Sequence, residues 1–340
     1  MIILVRIIKD MNHSAVIETQ GLSRTFRTRS GAVEAVRELD LTVPAGEIVG
    51  LLGPNGAGKS TTMRMLTTLL RPTGGSGSVL GRDLRKDPAE IRRRIGYVGQ
   101  DGSALDESLV GEELVLQARL FGIGRADAHA RVADLLRRME LEGLDRRTYG
   151  SLSGGQRRRV DIAAGLVHGP TLLFLDEPTT GLDPQSRANL WQHVRGLRAA
   201  GTSVVLTTHY LEEADALCDR VMIMDHGTLA VSGTPAELKG RLAGDMVTFT
   251  VDGDAGFARD VAAREAAPRE TWIDGDQVIL AVESGEAVIL PVLRALEAAQ
   301  VPPKSLSIKT PSLDDVFLQV TGRSLRETGH GVGSTDPVVA

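Results

Sequence analysis

Short apolar runs that stop abruptly at glycine or at charged side chains recur through the first two-thirds of the chain. Glu47-Ile48-Val49-Gly50-Leu51-Leu52 has the near-continuous apolar character of a parallel strand buried on both faces, as do Leu172-Leu173-Phe174-Leu175 and Ser203-Val204-Val205-Leu206-Thr207-Thr208. Between them the period turns helical. Thr62–Leu70 carries apolar side chains at helical spacing and stops before Pro72. Glu112–Phe121 and Ala128–Met139 are amphipathic, with Gly122-Ile123-Gly124 as the break between them. Strands alternating with helices predict an α/β domain. Past Pro235 and Gly240 the pattern changes again. Met246–Asp252 alternates as a strand, Phe257–Ala266 reads as a helix, and Gln277–Val282 as a second strand. Ala287–Ala299 is an apolar-faced helix with Pro291 in its first turns, Ser305–Lys309 a third strand, and Leu313–Leu318 the start of a closing helix. These elements predict a small α+β module.

The residues at the ends of the apolar runs carry the chemistry. After the first comes Gly53-Pro54-Asn55-Gly56-Ala57-Gly58-Lys59-Ser60-Thr61, which has the spelling of a phosphate-binding P-loop. Glycines let the backbone wrap an anion with its N–H groups pointing inward, and the helix that follows adds its positive end. Lys59 can reach the β- and γ-phosphates, and the Ser60 hydroxyl can ligate Mg²⁺. Strand, glycine loop and helix together predict a nucleoside triphosphate site. The second run ends in Asp176-Glu177-Pro178. Carboxylates at that end of a strand stand where open α/β sheets bind ligands. Asp176 would hold Mg²⁺ through water, and Glu177 would orient or deprotonate the attacking water.

Leu152-Ser153-Gly154-Gly155-Gln156 is a second glycine turn that feeds a helix, hence a second candidate phosphate cradle. One nucleotide does not need two cradles from one chain. The economical resolution is that the second serves the nucleotide of another copy, so that a two-fold dimer has two composite sites. The Arg157-Arg158-Arg159 run that follows reads as a solvated helix face rather than a nucleic-acid patch.

Composition narrows the picture modestly. With 340 residues, 42% of them hydrophobic, there is room for two domains. Thirty-nine basic against 44 acidic residues leave a formal charge of −5, which disfavours a dedicated nucleic-acid binder. Cys218 is the one cysteine, so an intrachain disulfide is excluded, a reducing compartment is the simple reading, and the side chain reads as a small buried hydrophobe. The apolar runs fall short of a bilayer span. Ile2–Lys9 is short and broken by charge, and an upstream start codon with Met11 as the functional start accounts for it.

In this order the motifs resemble the ATP-binding subunits of ABC transporters over roughly residues 14–236. The P-loop, the signature Leu152–Gln156, the Walker B end Asp176-Glu177, Gly181-Leu182-Asp183 as the D-loop and His209 as the switch histidine all match. The resemblance implies a mixed-sheet core, a helical subdomain over about 101–165, and ATP with Mg²⁺ as cofactors. It implies that Gln100 contacts Mg²⁺ and the attacking water, that His209 meets the γ-phosphate, and that Ser153, Gly154, Gly155, Gln156 and Asp183 act on the partner copy's nucleotide. Phe26 matches the aromatic position that stacks on adenine, with a core phenylalanine as the alternative. A separate membrane permease would insert a short helix beside the Q-loop, where the family often has Glu-Asn-Leu and this chain has Glu112-Glu113-Leu114. The subunit would then sit peripherally on the cytoplasmic side of the membrane. Residues 1–13 form an extension, 245–322 the accessory module, and 323–340 a glycine-rich tail expected to be disordered. Pro311-Ser312-Leu313-Asp314-Asp315-Val316-Phe317-Leu318-Gln319-Val320-Thr321-Gly322-Arg323 is similar to the ending of daunorubicin/doxorubicin-resistance ATP-binding subunits, implying efflux of a drug or antibiotic. The runners-up are a soluble ABC ATPase acting on nucleic acid or ribosomes, and an exporter of a lipid or polysaccharide.

Overall fold

The computed structural model describes residues 15–28, 31–102, 104–240 and 244–321. The N-terminal extension with its Met11 start, and the tail 323–340, lie outside the described residues. The chain divides into two compact units that meet in sequence at residues 232 and 233.

The first unit is built on a six-stranded sheet. Its members are β4 (Ile48–Leu52), β7 (Ile95–Val98), β8 (Leu172–Asp176), β9 (Ser203–Thr208), β10 (Arg220–Asp225) and β11 (Thr228–Gly233), in the order β11-β10-β4-β9-β8-β7. From β10 to β7 every pairing is parallel, so these strands all end at the same edge. The three apolar runs become β4, β8 and β9, buried at every position. Val49, Leu51, Phe174 and Val205 form one core with Met63 and Met65 from helix α1 (Lys59–Leu66).

Three features depart from the sequence pattern. Helix α1 stops at Leu66, not Leu70, because Thr67 returns its hydroxyl to the Met63 carbonyl at 2.9 Å and Thr68 turns left-handed at φ 62°. A second, antiparallel sheet precedes and flanks the P-loop: β1 (Ala15–Thr28) and β2 (Gly31–Leu39) with β3 (Thr42–Pro44), β5 (Gly74–Val79) and β6 (Arg82–Asp83). Much of β2 is exposed, so it lacks the apolar run that marks a buried strand. In the accessory module β13 (Glu270–Asp274) is an edge strand the pattern did not reveal, for the same reason.

Short helix α2 (Pro88–Arg94) leads into β7. The middle stretch folds as two amphipathic helices, α3 (Val110–Leu120) and α4 (Arg125–Arg138), separated at Gly122, whose φ is 81°. Helix α5 (Gly154–Leu166) carries the signature at its start, and α6 (Pro184–Ala199) follows the D-loop. Helix α7 (Leu211–Leu217) follows β9 and ends at Cys218. Cys218 is 7% exposed, and burial pushes its thiol well above the ordinary range. A thiol in that state is inert. We expect Ellman's reagent to leave the native protein unlabelled and to titrate its single cysteine once guanidinium unfolds the chain; labelling of the folded protein would contradict the burial.

The second unit has a four-stranded antiparallel sheet, β13-β14-β12-β15, from β12 (Asp245–Val251), β13, β14 (Gln277–Val282) and β15 (Pro303–Lys309). Val247, Phe249 and Leu280 of the sheet share a core with Ala258 and Ala262 of helix α9 (Ala255–Ala266) and Val292 and Leu296 of α10 (Gly285–Ala298). A short helix, α8 (Pro235–Gly240), packs with the closing helix α11 (Leu313–Thr321). Ser284 caps α10 two residues earlier than its pattern suggests, which leaves Pro291 inside the helix rather than in its opening turn. The Ser312–Asp315 segment closes a capping box: Ser312 Oγ accepts from the Asp315 N–H at 3.2 Å, and Asp315 Oδ2 from the Ser312 N–H at 2.9 Å. Those two residues therefore start the helix that buries Leu313, Val316 and Phe317. Among the described residues no helix is long and apolar enough to cross a membrane.

Candidate active site

Register brings the chemistry to one edge. Leu52 pairs with Thr208, Asp176 with Thr207, and Val98 with Leu175. The next residues are Gly53, His209, Glu177 and Gly99, so four strands deliver the P-loop, His209, the paired carboxylates and the segment leading to Gln100 at nearly one level. Gly58 turns the P-loop into α1 at φ 97°, where an added Cβ would stand 2.5 Å from the Ala35 carbonyl oxygen. No side chain caps α1, which leaves its first amides to an incoming anion.

Lys59 is 5% exposed and folds back into the loop, donating to the carbonyls of Gly53 at 2.7 Å and Pro54 at 3.0 Å. Burial lowers its pKa, against the pull of the Glu177 and Asp176 carboxylates. Ser60 Oγ donates to Asp176 Oδ1 at 3.2 Å, which joins the P-loop to the end of β8. Thr207 was not singled out from the sequence. Its hydroxyl donates to Asp176 Oδ1 and accepts from the Glu177 N–H at 2.9 Å, fixing both carboxylate residues at once. The paired threonines that close the apolar run Val204-Val205-Leu206 were the available signal.

Glu177 takes a left-handed backbone, φ 44°. That geometry costs a residue with a Cβ on the order of 1–3 kcal/mol and tends to occur at functional sites. Its Oε2 accepts from Thr180 Oγ1 at 3.1 Å and lies 3.4 Å from His209 Nδ1, an ion-pair distance too long for a good hydrogen bond. The neighbouring imidazole is the main reason the Glu177 carboxyl sits below the usual range. His209 in turn tilts against Tyr210, ring centroids 4.1 Å apart.

The remaining sequence candidates are placed differently. Gln100 lies two residues beyond β7 with its side chain exposed, and among the described residues no hydrogen bond joins it to Ser60 or Asp176. Phe26 is half-buried on β1 outside the main core, with the Arg24 guanidinium 4.6 Å above its ring. Ser153 caps α5 in a reciprocal box: its Oγ accepts from the Gln156 N–H at 3.3 Å, and Gln156 Oε1 from the Ser153 N–H at 3.0 Å. Ser153 and Gly154 are exposed. At Gly155 an added Cβ would meet Ser186 Oγ at 2.8 Å, so glycine is needed for α5 to approach α6. Asp183 caps α6 through Ser186, whose hydroxyl also holds that carboxyl low. Among the described residues no hydrogen bond ties Ser153–Gln156 to the P-loop of the same chain.

The arginine run is not the solvated face it resembles. Arg157 donates to the carbonyls of Leu152 and Gly150, and Arg159 to Glu140 at 3.3 Å and Asn189 at 3.1 Å. Arg158 is buried. All three guanidiniums are spent on their own fold, because the helix that carries them is sandwiched between the sheet and its neighbouring helices.

Known proteins share these features. Residues 36–180 match the sequence family described as ABC transporter, and residues 233–321 match the C-terminal domain of DrrA1-3-like ATP-binding proteins. The chain is 44% identical over 310 residues to the daunorubicin/doxorubicin resistance ATP-binding protein DrrA of Streptomyces peucetius, spanning 90% of this chain and 92% of that protein. To the doxorubicin resistance ATP-binding protein DrrA of Mycobacterium tuberculosis it is 40% identical, over 95% of this chain and 99% of the other. Among solved structures, a dimeric ATP-binding cassette in a post-hydrolysis state, bound to ADP and Pi, superposes with a TM-score of 0.59 at 25% identity, covering 64% of this chain and 98% of that one. The α/β fold with its P-loop at the strand ends is therefore that of an ATP-hydrolysing cassette, and the chain belongs to the ATP-binding proteins of the ABC transporter family, with a DrrA-like C-terminal domain.

Proposed function

We propose that the chain powers export of a drug or antibiotic through a separate membrane permease, as a homodimer that closes on two ATP molecules at the cytoplasmic face of the membrane. One observation carries the reading: the P-loop, Asp176-Glu177 and His209 converge at one sheet edge, while Ser153 and Gly154 of the signature turn are exposed and, among the described residues, make no hydrogen bond to the P-loop. An anion cradle left facing outward suits a second copy's nucleotide.

In this mechanism P-loop amides bind the β- and γ-phosphates, and Lys59 leaves the Gly53 and Pro54 carbonyls to join them. The residues fit Mg²⁺, since Ser60 and Asp176 offer a hydroxyl and a carboxylate 3.2 Å apart, and Mg²⁺ takes oxygen ligands shared with substrate phosphates. Gln100 would complete its surroundings, and the ion would neutralise phosphate charge. Glu177 accepts the proton of the attacking water while His209 donates toward the γ-phosphate. Ser153, Gly154, Gly155, Gln156 and Asp183 serve the partner copy's site. Phe26 stacks on adenine once Arg24 gives up one face of the ring. Base–aromatic stacking contributes about 1–3 kcal/mol, so Phe26→Ala should weaken ATP binding roughly tenfold in a fluorescent-nucleotide titration; unchanged affinity would return Phe26 to a packing role.

The permease's short helix would enter the cavity of about 280 Å³ whose lining includes Tyr97, Gly99, Gln117, Phe121 and His168. Phe121 and His168 stack there with centroids 3.8 Å apart. The test is co-expression of the chain with a candidate multi-span permease in a drug-sensitive host. Anthracycline efflux lost on Lys59→Ala supports the reading. ATP-dependent activity with no effect on drug accumulation would remove the drug cargo, and recovery on ribosomes or DNA in place of membranes would remove export.

A further inference from the structure

Arg158 lies on α5 five residues past Ser153 and is 7% exposed. Each of its three guanidinium nitrogens donates. Nε donates to the Pro178 carbonyl at 2.9 Å, Nη1 to Gly99 at 2.6 Å, and Nη2 to Asp176 at 2.9 Å. These acceptors are not scattered. Asp176 and Pro178 flank Glu177, and Gly99 precedes Gln100. One rigid guanidinium thus fixes the backbone on both sides of the general base and just before the Q-loop side chain. The helix itself is anchored nearby: Tyr149 donates its hydroxyl to both oxygens of Asp161, at 2.9 and 3.0 Å, about one helical turn along α5.

Burying a cation is costly unless it is paired and hydrogen-bonded, and here three backbone carbonyls take donors from one guanidinium, which joins three points of the site's backbone. The helix that bears it begins with the signature turn, which on the shared-site reading of the preceding section touches the other copy's nucleotide. We infer that Arg158 is a positioning residue that ties the signature helix to this chain's own reaction centre, so that nucleotide in the partner's site is felt at Glu177 and Gln100. A shift of α5 when the second nucleotide docks pulls on Gly99, Asp176 and Pro178 together. Lysine cannot reproduce the link, since an ammonium on a flexible stem cannot hold three acceptors in one plane.

The test uses mixed dimers of two differently tagged full-length chains, one carrying Glu177→Gln, so that a single competent centre remains, followed by single-turnover phosphate release. Arg158→Lys is placed either in the Glu177→Gln chain, which lends only its signature to that centre, or in the other chain, which supplies its P-loop and Glu177. With the link lost, both placements should slow single-turnover hydrolysis about tenfold or more, while the ATP concentration that gives the half-maximal rate stays within about twofold. Slowing in the second placement alone would mean that Arg158 merely supports its own Glu177, and would overturn the inference. So would no slowing in either. Arg158→Gln, which keeps two donors, repeats the comparison if the lysine variant melts early. The same mixed dimers, bearing Asn55→Cys and Gly154→Cys, are crosslinked with ATP. If they never crosslink, it is the shared-site reading that falls.

Discussion

Glu177→Gln should bind ATP normally, hydrolyse it at least ~100-fold more slowly and accumulate as a nucleotide-locked dimer. The magnitude follows from the role. General-base catalysis contributes typically 10²–10⁴-fold, and glutamine cannot accept the proton. The His209 imidazole beside it holds its pKa below the usual range and so favours the ionised form that a base needs. Its left-handed backbone is fixed independently of the side chain by the Thr207 hydroxyl and the Arg158 fork. The amide is also nearly isosteric, so the substitution isolates chemistry from folding. Phosphate release and gel filtration with ATP check both halves of the expectation. Near-normal turnover would remove Glu177 from its role.

Ser153→Arg should reduce hydrolysis by a similar ~100-fold while ATP affinity of the isolated monomer is unchanged. On the shared-site proposal, a bulky cation at the mouth of the signature turn would keep the cradle from closing over the partner's phosphates. The substitution also removes the cap that Ser153 gives α5, costing about 1 kcal/mol of stability. Ser153→Ala loses the same cap without the obstruction, and comparing the two separates folding from docking. Loss of nucleotide affinity in the Ser153→Arg monomer would mean that the signature serves its own chain's site.

What the sequence made legible was chemistry that depends on local spelling. The P-loop, the paired carboxylates and His209 each follow an apolar strand, and strand ends are where parallel sheets gather function. Contacts made across the fold were not legible in the same way. Thr207 looks like an ordinary end to an apolar run until β9 is laid beside β8 and its hydroxyl meets Asp176. The arginine run reads as a charged surface because helical spacing alone does not say which side of α5 meets the sheet. Strands β2 and β13 escaped notice because exposed edge strands need no continuous apolar run. The family ending Ser312–Leu318 has a physical basis that spelling conceals: a capping box followed by three buried apolar side chains.

The most direct measurement is a crosslink between Asn55→Cys of one copy and Gly154→Cys of another, with Glu177→Gln present to hold the closed state. Both positions are exposed, and buried Cys218 should not compete. With ATP and Mg²⁺, a short bismaleimide should convert the mixture of singly substituted chains to covalent dimer, and omission of ATP should abolish the product. Dimer that fails to form with nucleotide, or forms equally without it, would contradict two reaction centres built jointly from both copies.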